Sequence, residues 1–420
     1  MPKEINDAPL TLWRYVPLKQ FSKPPVVTTQ AVRTGVSRAV FGFFNSRRPV
    51  EFEDTEFIRE LESVPLDLLD KIVPKPDLKE PVAALSEVLK DWAEKPFSFS
   101  STRCIVARPF SWTDQVITGW AEANGWHVAA EPSAGDIMSG GREWLAHLIK
   151  TREQNIVIPH LERFYLRHAE GFALMRGLME WLWSEKCRVL IGCDSWAWAY
   201  LGKVFGVDAI FPYALTLDTF NHQRLKQWFL SLSTGAGKRT LTFRQADNHR
   251  PVLPLPEKTP DDSVKNPGNA VDLTITKKNT EQETGFMDQI ATAGAGIPGV
   301  TWAIWRYCLQ LLPDATRPDT DFRRTLWVKP WMKVSLPKVS AAANLTNLFV
   351  LHAVLLHGGL REDTLNEILP PSKHEISQSL SSMKADGLVE VKNDRWQVTA
   401  LAYPSVRRFL GNEGYLTDEL

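Results

Sequence analysis

At 420 residues, with 44% hydrophobic and 23% charged positions, the chain has enough apolar material to bury two or three cores without disulfide or metal staples. Its formal net charge is zero, which excludes a global field drawing it to nucleic acid or to a membrane surface and leaves only local charge for that purpose. Cys104, Cys187, Cys193 and Cys308 lie far apart, with no CxxC pair and no His at ligand spacing. They read as buried thiols of a reducing compartment, and with no run approaching about 18 apolar residues a cytoplasmic protein without membrane insertion is expected.

Residues 1–50 hold eight Lys or Arg, among them Arg33, Arg38, Arg47 and Arg48, against Glu4 and Asp7. They are rich in Pro and Val and lack a sustained period, which predicts an extended basic arm. Residues 51–99 are acid-rich and predict a helical region, interrupted at Pro65 and stopped by Pro74 and Pro76 before a second helix over 81–94. From Thr102 the pattern changes to short apolar runs alternating with amphipathic stretches. Strands are expected over 103–107, 127–130, 155–158, 188–193 and 209–217, with helices between them and a further one over 225–232. That alternation predicts an α/β core over 100–243 built on one five-stranded parallel sheet with flanking helices. Residues 244–283 are polar and Pro-rich and predict a long loop or a β-hairpin with a disordered tip. Residues 284–343 predict a helical lid and connector, helical over 284–311 with a break at Gly294–Gly299, and then a lone strand over 324–329.

The last 77 residues, 344–420, predict a separate unit of three helices followed by a hairpin over Leu388–Val391 and Arg395–Thr399. This order makes a winged helix-turn-helix domain, and the stretch resembles MarR-like and origin-recognition-type winged domains. If the unit reads DNA, its third helix offers Lys373, His374, Gln378, Ser381 and Lys384, with Arg395 on the wing. Residues 341–420 carry seven Lys or Arg against ten Asp or Glu, however, an acidic balance that favours protein docking over phosphate neutralisation.

The succession of strands over 100–315 resembles the additional-strand P-loop ATPases, in particular the origin-recognition and STAND-type members of the AAA+ group. The resemblance implies a P-loop-type sheet, a helical lid and an ATP–Mg²⁺ site at the strand ends. The motifs that such a site needs are degenerate. Where a phosphate loop requires glycines and a lysine, the chain reads Arg108-Pro109-Phe110-Ser111-Trp112-Thr113. Pro109 lacks an amide donor, Phe110 and Trp112 are expected to fill the phosphate space, and Ser111 with Asp114 reads as a helix cap. Where a Walker B pair of carboxylates belongs, Pro159 and His160 stand, with Glu162 expected in a surface ion pair with Arg163.

Asp194 and Ser195 occupy the place of a polar sensor, or cap the helix that begins at Trp196. Arg306, after the Gly296-Ile297-Pro298-Gly299 turn, is the nearby cation in the position of a second sensor. The turn around Gly235-Ala236-Gly237-Lys238 superficially evokes a phosphate loop, but it follows a helix and enters a strand, the reverse of the required context. The nine His and the carboxylates form no catalytic or metal-ligand spacing. The expectation is a pseudo-ATPase without cofactor or metal, acting through a protein partner or a second copy. DNA binding by the wing and basic arm is the alternative, and an ATPase with an unorthodox phosphate loop stands after it.

Overall fold

The computed structural model of the protein describes residues 11–22, 55–94, 101–150, 155–184, 187–233, 241–254, 285–312, 325–340 and 343–420. Arg33, Arg38, Arg47, Arg48, the 234–240 turn and most of the 244–283 tract lie outside these residues.

The strands in chain order are β1 Tyr15–Pro17, β2 Glu62–Ser63, β3 Thr102–Ala107, β4 His127–Val128, β5 Ile156–Ile158, β6 Val189–Asp194, β7 Leu215–Leu217, β8 Thr242–Gln245, β9 Leu309–Leu311, β10 Thr325–Val328, β11 Val389–Lys392 and β12 Arg395–Val398. The main sheet runs β1-β7-β3-β6-β5-β4. Its strands pair in parallel from β7 to β4, so β6 is inserted between the first and third parallel strands of the chain. The expected five strands are therefore six: β1 comes from the segment read as an extended arm and pairs antiparallel with β7. Its residues are suited to this place, because Trp13 and Tyr15 are buried and Trp13 packs edge-on against Phe220 at 5.0 Å. β7 is also shorter than expected, since Val207–Ile210 is helical.

The parallel strands read as continuous apolar runs because both faces are covered. Alternate residues of β3 face opposite ways. Ile105 packs with Val157 and Leu190 in one core, whereas Cys104 and Val106 pack with Ile156, Ile158 and Ile191 in the other. Helices Thr113–Asn124, Ala173–Ser184 and Ser195–Phe205 supply the cover through Trp120, Met175 and Ala197 among others.

A second sheet runs β2-β9-β10-β8. The strand over 324–329, expected to stand alone, is β10 at its centre, pairing parallel with β8 and antiparallel with β9. The helix expected over 284–311 is divided: residues 285–293 are helical, the turn containing Ala295 and Gly296 follows, Pro298–Cys308 is a second helix, and Leu309–Leu311 is strand. Trp305 joins the layers. It is fully buried, stacked on Phe229 at 5.2 Å and tilted against Phe243 of β8 at 5.2 Å.

Residues 344–420 form helices Leu345–Leu356, Glu362–Ile368 and Lys373–Ala385, the β11–β12 hairpin, and helix Tyr403–Asn412. Asn344 caps the first helix by accepting from the Asn347 amide at 2.9 Å, and Ser372 with Glu375 makes a capping box at the third. Asn393 and Asp394 both have positive φ, the geometry of a tight hairpin turn, and Leu360 bridges to Trp396. The helix Leu345–Leu356 is buried nearly all round because it lies between its own unit and the α/β core.

Replacing Trp305 by Ala should lower the unfolding free energy by about 3–5 kcal/mol in a urea titration. Replacement by Phe should cost less, because among the described residues the buried indole N–H has no hydrogen-bond partner to lose.

Candidate functional site

The polar chemistry of the main sheet collects at the C-terminal ends of β3, β5 and β6, around a cleft of about 330 Å³. One wall is the loop Arg108–Asp114, the floor holds Pro159, His160, Glu162 and Asp194, and the far wall comes from Gly358, Gly359 and Lys392 of the C-terminal unit.

The loop is tightly wound. Phe110 (φ 66°) and Trp112 (φ 53°) both occupy the left-handed region, at a cost of about 1–3 kcal/mol each for residues with a β-carbon. Surrounding contacts hold them there. The Gly299 amide donates to the Phe110 carbonyl at 2.9 Å, and a β-carbon at Gly299 would meet that oxygen at 2.3 Å. The Phe110 ring packs edge-on against Tyr403 at 5.5 Å, and the Trp112 ring sits among Trp13, Trp228 and Trp302. The expected Ser111–Asp114 cap is absent: Trp112 is the N-cap of helix Thr113–Asn124, without a side-chain bond, and Ser111 is buried. Arg108 is buried and donates to the Ala295 carbonyl at 2.5 Å. Burial lowers its pKa to about 10, against the opposing charges of Tyr403 and Asp418, so it stays cationic at neutral pH.

His160 and Glu162 face each other from the two ends of a short turn after β5. His160 Nδ1 lies 2.9 Å from Glu162 Oε1, while its Nε2 is 3.8 Å from carboxylates of both Asp114 and Glu131. The Asp194 amide donates to Glu162 Oε2 at 3.1 Å. Glu162 is therefore a buried internal acceptor, not the partner of Arg163 at the surface; Arg163 bonds Glu131 instead. Burial works against the imidazolium of His160, but the hydrogen bond and charge of Glu162 prevail and raise its pKa. Burial likewise opposes the Glu162 carboxylate, and His160 prevails in lowering its pKa. Asp194 lies well above the usual carboxylate range because it is buried and close to the Glu162 charge. Gly192 permits this crowding, since a β-carbon there would lie 2.3 Å from the Pro159 carbonyl.

Of the two roles expected here, Asp194 takes that of the cap and Ser195 takes neither. Asp194 caps the next helix by accepting from the Trp196 amide at 2.9 Å. Ser195 Oγ donates to Asp418 at 2.6 Å, and Asp418 is held from its other side by Arg407 Nε at 2.5 Å. Trp196 Nε1 donates to the Tyr403 hydroxyl at 3.0 Å, so the core helix and the C-terminal unit share one buried polar cluster. Nothing in the sequence marked Asp418 or Tyr403, which stand more than 200 positions from the core groups they meet, nor Arg407, which holds Asp418. His357, fully buried with its pKa lowered to about 4 by burial, faces the Glu162 carbonyl from the C-terminal unit and was also unmarked.

Arg306, expected as a sensor, is directed away from the cleft. It bonds the Val73 carbonyl at 2.8 Å and Asp70 at 2.7 Å, and lies over the Trp302 ring. Lys373, His374, Gln378, Ser381 and Lys384 are all exposed on one helix. Arg395 does not join them, because it bonds Glu131 of the α/β core at 2.9 Å. Among the described residues no group of His, Cys, Asp and Glu has metal-binding geometry, and no helix is long and apolar enough to cross a membrane. Burial pushes the Cys193 thiol well up, which removes it as a nucleophile at neutral pH.

The fold and site thus define an α/β core whose cleft lies at the C-terminal ends of a parallel sheet and is walled on one side by a C-terminal helical and hairpin unit. No protein-family model matches the sequence, and no curated protein matches it. Among solved structures it is similar to the Aeropyrum pernix ORC2 protein in its ADPNP–ADP complexes, with 12% identity over 86% of this chain and 99% of that one and a TM-score of 0.35. It is also similar to CDC6P from Pyrobaculum aerophilum, with 11% identity over 81% of this chain and 96% of that one and a TM-score of 0.30. At these values the chain's own topology carries the reading.

The His160–Glu162 pair has a defined pH window. The raised His160 pKa contributes stability below its unfolded value of 6.5, lost as pH rises through the folded value. The lowered Glu162 pKa contributes above 4.5, lost as pH falls. Glu162→Gln should therefore depress the melting temperature most between those two values and least at alkaline pH, read as the difference from the native chain across a pH series.

Proposed function

We propose that this chain is a non-hydrolysing, ATPase-like scaffold or regulatory protein, working through protein–protein contacts, with residues 344–420 acting as a winged-helix docking module. The insertion of β6 between β3 and β5 is the strand order of the additional-strand P-loop group that the sequence resembles, and it supports an AAA+-like ancestry for the core. Three helices, a hairpin and the Leu360–Trp396 bridge support the winged-helix reading of the last unit.

The observation that carries the proposal is the occupancy of the strand ends by the chain's own groups. A phosphate site needs a run of free amides and a cation. Here Pro109 has no amide hydrogen, the Arg108 guanidinium is bonded to Ala295, and the Phe110 ring is packed against Tyr403. Glu162, the remaining carboxylate in the Walker B stretch, is taken up by His160 and the Asp194 amide. Groups so committed favour a permanent seam between core and C-terminal unit over a site that opens for a nucleotide. A protein partner or a second copy then meets the outer surface of that joined body.

Isothermal titration with Mg-ATP tests this directly. No heat of binding is expected in the micromolar range; micromolar affinity, or ATP turnover that Glu162→Ala abolishes, overturns the proposal.

The exposed row from Lys373 to Lys384 keeps DNA binding as a second reading. Against it stand the acidic balance of the unit and the commitment of Arg395 to Glu131. A duplex titrated from about 50 to 200 mM salt should show only weak binding, whereas a loss of several orders of magnitude in affinity across that range would favour DNA.

A further inference from the structure

At the opposite end of the sheet from the cleft, where β3 and β7 begin, a second hollow of about 390 Å³ opens beside the edge strand β1. Val88 and Trp92 of helix Lys79–Glu94 line one side, and Tyr213 and Leu215 line the other. Val88 and Tyr213 are 43% and 57% exposed, so large apolar surface is presented to solvent on both rims.

Arg103 stands between these walls. Its guanidinium carbon lies 4.9 Å from the Tyr213 ring centroid and 5.8 Å from that of Trp92. The rings stabilise the charge through their faces but take up none of the five in-plane N–H donors. Among the described residues, the guanidinium makes one hydrogen bond, a long one of 3.4 Å to the Thr102 carbonyl. Among the described residues no carboxylate forms an ion pair with it; Asp91 is the acid in the lining. Lys19 adds a second cation at the rim. A half-buried cation with unused donors and, among the described residues, no carboxylate bonded to it, set between apolar walls, lacks the partner that such a group ordinarily has.

We propose that this hollow binds a carboxylate carried on an apolar or aromatic body, with Arg103 as the bidentate anchor and Tyr213 and Trp92 as the walls. The planar fork of a guanidinium matches a carboxylate in both spacing and charge, and the volume suits a ligand of small-molecule size. The carboxylate comes either from a free aromatic acid or from the C-terminus of a peptide with an apolar last residue. Neither ligand involves the cleft at the other end of the sheet, so the site stands whether or not the chain binds nucleotide.

The test is isothermal titration of the full chain with four probes: 3-phenylpropionate, its primary amide, and a pentapeptide ending in Phe as free acid and as C-terminal amide. At least one acid should bind, with its amide about tenfold weaker or more. Arg103→Gln should weaken the acid by a similar factor and leave the amide unchanged, and Tyr213→Ala should weaken both. Binding of 3-phenylpropionate alone assigns the free acid, and binding of the peptide alone assigns the C-terminus; either supports the proposal. It is overturned if neither acid binds at about 5 mM, if the amides match the acids, or if Arg103→Gln binds as the native chain does. Should Arg103→Gln fail to fold, the acid–amide comparison and Tyr213→Ala, at an exposed side chain, still decide.

Discussion

Burial of the central strands on both faces constrains everything else in this protein. Cys104, Ile105, Val106, Ile156, Val157, Ile158, Leu190 and Ile191 are fully buried, so neither face of β3, β5 or β6 offers a place for a charged group. Charge is pushed to the strand ends, where the backbone leaves the sheet and polar groups meet partners. At one end this concentrates Arg108, His160, Glu162 and Asp194 within a single cleft. At the other it leaves Arg103 between aromatic rings. The same constraint requires cover for the sheet, and the long apolar helix Leu345–Leu356 supplies part of it. That is why the C-terminal unit is packed into the core instead of tethered beside it.

Acidic groups gathered in a poorly solvated place need cations, hydrogen bonds or protons. All three are in use here. Glu162 is matched by His160 and by the Asp194 amide, while Asp194, next to an existing negative charge, is driven toward its protonated form. Asp418 is matched by Arg407 and Ser195, which ties the last turn of the chain to the core. Glu131 is shared by Arg163 and Arg395, tying the hairpin to the core a second time. Asp418 is the buried carboxylate whose partners come from both sides of the seam, Arg407 from its own unit and Ser195 from the core. Removing one partner leaves a charge stranded, and on that account the seam should resist opening more than its area alone suggests.

The elements that sequence made legible are those whose signal is local. Apolar runs bounded by turns located the five parallel strands, and the order of three helices and a hairpin located the elements of the last 77 residues. β1 and β9 escaped, because no isolated apolar run bounded by turns marks them and their strand character comes from a neighbour already in the sheet. Tertiary context also overrode the expected ends of β7, where Val207–Ile210 coils into a helical turn. Within the cleft, the loop after β3 and the turn after β5 were located by their place in the strand order. Their partners were not, because Tyr403 and Glu131 reach them from other parts of the chain and carry no spacing pattern. Glu162 shows the difference most clearly. Its neighbour Arg163 suggested a surface pair, but the polypeptide turns so that the two side chains enter different environments.

The turn after β3 poses the sharpest physical question, because it holds a strained shape without glycine. A loop that wraps an anion offsets strain through bonds from its amides to the ligand. In this chain the offset comes from elsewhere. The Phe110 carbonyl receives the Gly299 amide, its ring meets Tyr403, and Trp112 is surrounded by Trp13, Trp228 and Trp302. These contacts reach the helix Pro298–Cys308, the C-terminal unit and the segment leading into β1. The strained turn therefore acts as a junction. Substituting glycines into it would relax the backbone while deleting the aromatic contacts, so recovering a wrapped loop would loosen the attachment of all three parts. The two uses of this turn exclude one another on packing grounds, and the abundance of tryptophan around it follows from the second.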